Sequence, residues 1–124
     1  MGKLDQGLAE AEQVFRQMRG LAESGEAEGK RALVQLRSRY AMLMLDILEA
    51  RRTDDRLLSD PGLAREFDRR FLDLRQALAE HQATWRLQAI EDDTAGYMAS
   101  AGGISQVQDD FYLWARGRLA PPGG

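Results

Sequence analysis

Apolar residues recur every three or four positions along four stretches of the chain. The first carries Leu4, Leu8, Ala11, Phe15, Met18 and Ala22, and the second Leu33, Leu36, Tyr40, Leu43, Ile47 and Ala50. The third carries Ala64, Phe67, Phe71, Leu74, Leu78, His81 and Trp85, and the fourth Ala101, Ile104, Val107, Phe111 and Trp114. Such spacing puts each set on one face of an amphipathic helix. It predicts helices near 4–23, 27–53, 61–91 and 94–118.

Punctuation residues fall between these stretches. Ser24-Gly25-Glu26 separates the first pair, and Gly25 and Gly29 weaken helix locally. Asp60 is placed as an N-cap, with Pro61 at the first helical position. Asp92-Asp93-Thr94 offers a cap for the last helix, whose interior Gly102-Gly103 is a weak point. The same pattern also fits one long kinked helix across the first two stretches.

Folding each stretch back on the last sets Met18 opposite Leu33, Phe15 opposite Leu36 and Leu8 opposite Leu43, with the reversal at Gly25-Glu26. The next reversal falls at Leu57 and the third at Asp92-Asp93. Each lands on a turn read independently. The expected fold is therefore all-α, an antiparallel up-down-up-down four-helix bundle over 1–119 with an unstructured tail over 120–124. Its core stacks in layers, one made by Phe15, Leu36, Leu78 and Val107 and the next by Met18, Leu33, His81 and Ile104.

Composition adds exclusions. The 124 residues suffice for one domain, and 44% hydrophobic with 30% charged is a globular balance. A net charge of -3 argues against nucleic acid as a partner. Without cysteine there is neither a disulfide nor a thiolate metal site, and the compartment stays open. The longest apolar run, Tyr40 to Leu45, is six residues, too short for membrane insertion, which takes about 20. No signal-peptide stretch stands at the N-terminus.

Chemistry is sparse. His81, the only histidine, shares a layer with Met18, a pair that could ligate haem iron. The filled seam and the lack of an attachment motif favour a core histidine satisfied by one hydrogen bond, so no cofactor and no metal are expected. Its mapped neighbours are apolar, which leaves no nucleophile beside it, and no catalytic residue is assigned. The carboxylate pairs at Asp54-Asp55, Asp92-Asp93 and Asp109-Asp110 read as solvated caps.

Two features suggest binding instead. Fifteen arginines stand against two lysines. Arg52, Arg56, Arg69 and Arg70 flank the turn between the second and third helices, where guanidinium groups would suit a small anionic or carboxylate ligand. The competing reading pairs them locally with Asp54, Asp55, Asp60, Glu66 and Asp68. The second helix is apolar over more than one face, through Met42, Met44, Leu45 and Leu48. Either it is the most buried helix, or Met44 and Leu48 stay partly accessible and form a homodimer interface.

The stretch Leu48-Glu49-Ala50-Arg51-Arg52-Thr53-Asp54-Asp55-Arg56-Leu57-Leu58-Ser59-Asp60-Pro61, with Ala64 to Asp68 and Leu72 to Arg75 after it, resembles the extracytoplasmic helical-bundle sensor domains of bacterial chemotaxis (methyl-accepting) receptors. Arg51-Arg52 and Leu57-Leu58 match that pattern, and Asp54-Asp55-Arg56 stands for its charged triplet, with Leu57 in place of an aromatic. The resemblance implies a non-catalytic, ligand-sensing domain of a signal-transduction receptor that works as a dimer and lies in the periplasm. The rival expectation is a cytoplasmic helical adaptor or export chaperone that holds a partner helix.

Overall fold

The computed structural model describes residues 2–24 and 27–119, with the backbone alone for 22–24 and 27–30. The described residues form six helices and no strand: α1 (Lys3–Ser24), α2 (Ala27–Arg51), α3 (Asp55–Ser59), α4 (Pro61–Thr84), α5 (Leu87–Asp92) and α6 (Thr94–Leu119). The expected reversal at Gly25-Glu26 and the tail over 120–124 lie outside the described residues.

The helix starts follow local chemistry. The Asp60 carboxylate accepts from Leu63 N at 3.1 Å, with Pro61 in the first turn of α4. Asp93 accepts from Gly96 N at 2.9 Å and caps α6. Asp54 accepts from Arg56 N at 3.1 Å, which starts the short α3 where the sequence suggested only a turn.

The most extensive backbone approach is between α1 and α2. It is possible because Gly7 has no side chain: a Cβ there would lie 3.1 Å from Ile47 Cγ1. This contact between the start of α1 and the end of α2 shows two helices folded back on each other, not one long kinked helix. Contacts between α1 and α6 run in opposite order along the two, with Arg19 meeting Asp109, Phe15 stacking on Tyr112 and Glu12 meeting Arg116. The α4–α6 contacts behave likewise: Glu66 pairs with Arg118, Phe67 packs on Trp114, and Phe71 on Phe111. Between α2 and α4 the printed links are side chains, Arg51 with Asp68 and Arg37 with Trp85 O.

One apolar cluster spans all these elements, centred on Phe15, Tyr40, Ile47, Phe67, Phe71 and Phe111.

Three expectations need correction. The third helix does not run unbroken over 61–91 but ends at Thr84. Trp85 adopts φ -109°, ψ 66° and Arg86 is extended. The Trp85 carbonyl leaves the helix ladder and accepts from Arg37, while its indole packs edge-on against Tyr97. Second, α6 is rotated from its expected face. Val107 is 39% exposed, and Gln108, Phe111, Tyr112 and Ala115 are buried instead. The expected layer of Phe15, Leu36, Leu78 and Val107 is therefore not the one formed. Third, Met44 is only 6% exposed and belongs to the core of its own chain, so it cannot stay accessible for a partner. With Tyr40, Leu43 and Ile47 it completes the inward face, and the exposed methionine of α2 is Met42. Leu48 is half-buried against the core.

Candidate ligand site

The arginines singled out at the α2–α4 corner are brought near carboxylates. Arg56 is inward-turned and fully engaged. Its Nε and Nη2 meet Asp54, Nη1 and Nη2 meet Asp5, and Nη1 also donates to the Leu119 carbonyl. A guanidinium has five N–H donors, and these five contacts take up its bonding capacity. Arg56 is thus a clamp tying the starts of α1 and α3 to the end of α6, and its assignment as a ligand residue is corrected. The clamp holds the Asp54 carboxyl below its usual range, chiefly through the Arg56 hydrogen bonds.

The other three share their charge locally. Arg70 meets Glu66 at 3.2 Å and covers the Trp114 ring at 4.8 Å. Arg69 lies 3.9 Å from the same Glu66, which also takes Arg118 at 3.3 Å. Arg52 meets Glu49 at 3.5 Å. These are exposed pairs, worth roughly 0–1 kcal/mol each. They neutralise this end of the molecule without shaping a pocket.

A cavity opens instead between α1, α2, α4 and α6, around the expected layer of Met18, Leu33, His81 and Ile104. Its volume is about 40 Å³. A cavity needs only about 10–15 Å³ to admit one water, so this one has room for a small polar molecule or ion. Phe15 and Leu78 supply apolar wall, and Arg37, His81, Tyr97 and Gln108 supply polar groups.

Each polar group has an evident anchor. Arg37 lies one turn beyond Leu33 on the inner side of α2, and its Nη1 donates to Trp85 O at 2.9 Å. The Tyr97 hydroxyl is its other neighbour. His81 Nδ1 lies 2.8 Å from Ser100 Oγ, and its ring stacks on Tyr97 with centroids 5.8 Å apart. The expectation of apolar neighbours around His81 is thereby corrected, while its expected hydrogen bond is present. Below the cavity, Tyr40 donates to Gln108 Oε1 at 2.7 Å and also meets the Tyr112 hydroxyl.

The electrostatics follow from burial. Loss of water pushes the Arg37 guanidinium below its ordinary pKa, although the Tyr97 phenol favours its charge. The same loss pushes His81 down, and the Arg37 charge adds to that. His81 is therefore neutral at pH 7, and the positive charge of the site is that of Arg37. No carboxylate lines the cavity among the described residues. Arg19, at the rim, meets Asp109 at 3.0 Å.

The His81–Ser100 contact is the nearest approach to catalytic geometry. A serine nucleophile needs its histidine oriented by a third group and a donor pair for the oxyanion. Arg37 beside the ring opposes the imidazolium such a mechanism requires. Among the described residues no cluster of three or more metal-ligating side chains is formed, and no helix is long and apolar enough to cross a membrane.

Sequence reasoning missed Arg37 and Gln108 because polar residues were assigned to outer faces. The signal was present for Arg37: Leu33, Arg37, Tyr40 and Met44 follow helical spacing along one stripe. Comparison with known proteins finds no matching family model, no matching curated protein and no matching solved structure.

Proposed function

We propose that this chain is a non-catalytic, ligand-sensing antiparallel up-down-up-down four-helix bundle that takes a small anion between its helices. The observation that carries the reading is Arg37, a half-buried guanidinium facing an apolar cavity without a carboxylate partner. A buried charge met only by a carbonyl and a phenol is stabilised further by an anion, through charge-assisted hydrogen bonds. Formate and acetate suit the volume, and the neutral His81 and the Ser105 hydroxyl can share their oxygens.

The bundle arrangement is supported by the reversed order of contacts along α1–α6 and α4–α6 and by the Gly7–Ile47 approach. Binding touches all four long helices at once, so a ligand would shift them together. The receptor setting implied by the sequence resemblance has one feature in its favour: α1 begins and α6 ends at the same Arg56. How two copies sit together decides for or against that setting. The adaptor reading draws support from the exposed apolar side of α2, at Met42 and Leu45.

Thermal unfolding with formate, acetate or sulfate tests the proposal. A site with Kd of about 1 mM contributes about 1.8 kcal/mol at about 20 mM ligand. The wild type should melt higher in one of these anions than in chloride at equal ionic strength, and Arg37→Met should lose the difference. Equal shifts in both proteins would refute the site.

A further inference from the structure

At about 100° per residue, Val34, Ser38, Ala41, Met42 and Leu45 fall on the outward side of α2, opposite Leu33, Tyr40, Met44 and Ile47. Three of them are large and uncovered: Met42 is 61% exposed, Leu45 55% and Val34 44%. The charges bordering this stripe are not mixed. Arg31 and Arg39 stand in its first half and Asp46 and Glu49 in its second. Asp46 and Glu49 also border the groove toward α1, where Glu10 adds an acid and Lys3 a base. Arg52, at the far end, is 3.5 Å from Glu49.

We infer that this face binds a second copy of the chain, with the two α2 helices antiparallel about a two-fold axis near Met42. A two-fold axis normal to both helices brings the same edge of each face together in reverse order. Arg39 of one copy then faces Asp46 of the other, and Arg31 faces Glu49, each pair occurring twice. The apolar positions match in the same register: Val34 meets Leu48, Ser38 meets Leu45, and Met42 meets its own copy. Small Ser38 and Ala41 alternate with the larger side chains, as close helix packing requires. A parallel pairing would set Arg31 against Arg31 and Glu49 against Glu49, so the charges choose the direction. The contact from Arg31 to Glu49 extends about 28 Å at 1.5 Å per residue. It keeps the apolar helix face that sequence reasoning assigned to a dimer but moves its centre from Met44 to Met42 and Leu45.

Sedimentation velocity and charge exchange test this. The wild type should be a dimer, and Met42→Glu/Leu45→Glu a monomer with unchanged helix content by circular dichroism. Arg39→Glu or Asp46→Arg alone should weaken the dimer about tenfold, since each breaks two pairs and adds repulsion. The double exchange Arg39→Glu/Asp46→Arg should restore it, because the reversed pairs face each other again. Spin labels on Thr53→Cys should lie about 35 Å apart in the antiparallel dimer and about 10 Å apart in a parallel one. A monomeric wild type, a double exchange as weak as the single ones, or the short label distance would each overturn the inference. The short distance would instead suit two domains hung from one membrane face. None of these outcomes bears on the Arg37 cavity, whose anion response is read in the monomeric variant as well.

Discussion

Removing the Tyr40 hydroxyl should cost more than removing that of Tyr112, although the two groups touch. Gln108 Oε1 can only accept, so the Tyr40 proton is committed to it and the Tyr112 hydroxyl donates to the Tyr40 oxygen. All three residues are buried. Tyr40→Phe leaves two groups without a partner, the Gln108 amide oxygen and the Tyr112 proton. At about 1–3 kcal/mol for each orphaned buried group, the loss is about 2–4 kcal/mol. Tyr112→Phe leaves the Tyr40–Gln108 bond intact and removes one acceptor use, about 0.5–1.5 kcal/mol. The double variant orphans only the Gln108 oxygen, because the stranded Tyr112 proton is gone. It should be no less stable than Tyr40→Phe alone, a strong departure from additivity. Urea unfolding at pH 7, followed by circular dichroism at constant slope, measures all three. Equal losses from the two single variants, or a double variant at their sum, would refute this order of donation.

Other consequences are as direct. Burial raises the Tyr40 and Tyr112 phenols above their ordinary pKa of 10.0, so the unfolded chain loses these protons first. Stability from this pair is complete below pH 10 and should fall as pH rises above it, less steeply in Tyr40→Phe/Tyr112→Phe. His81 shifts the other way, lowered from 6.5 by burial and by Arg37. Its contribution is complete above pH 6.5 and falls as the pH drops toward the folded pKa, a slope that His81→Gln should lack between pH 6.5 and the carboxylate range in denaturant titrations. Gly102 and Gly103 have open space where a Cβ would sit in the middle of α6. Gly102→Ala/Gly103→Ala should therefore stabilise by about 1–2 kcal/mol by the same measurement. Arg56→Met strands Asp5 and Asp54 and should cost about 2–3 kcal/mol. The loss should shrink as pH falls below the usual carboxylate pKa, where Asp54 no longer needs a cation.

Periodicity made the long helices legible because bulky residues mark their inner faces without ambiguity. Phe67, Phe71, Leu74 and Leu78 in α4, and Tyr40, Leu43 and Ile47 in α2, are buried as their spacing predicts. The Asp60-Pro61 start was legible too, since cap chemistry is local. The face of α6 was not. Val107 and Ile104 are the more apolar residues, but the buried stripe runs through Gln108 and Tyr112, whose polar ends are satisfied by Tyr40 on another helix. Only a tertiary contact makes that burial favourable, and no local pattern encodes it. The break at Trp85 was hidden likewise, because Arg37 receives its freed carbonyl from far along the chain. At the arginine-rich corner the sequence showed both the cations and the acids. It could not show that Arg56 would gather Asp5 and the Leu119 carbonyl from opposite ends of the chain.

That gathering has a topological consequence. Asp5 and the Leu119 carbonyl touch the same Nη1 atom of Arg56, so the chain comes within a few ångströms of closing into a ring. A short peptide joining the two ends would cross almost no space in the native state, while it would restrict the unfolded chain throughout. For a ring of this size the chain-entropy model gives a gain on the order of 4 kcal/mol. A ring can also be reopened elsewhere. The Trp85–Arg86 break, where helical continuity is already lost, is the natural place for new ends in a circularly permuted protein.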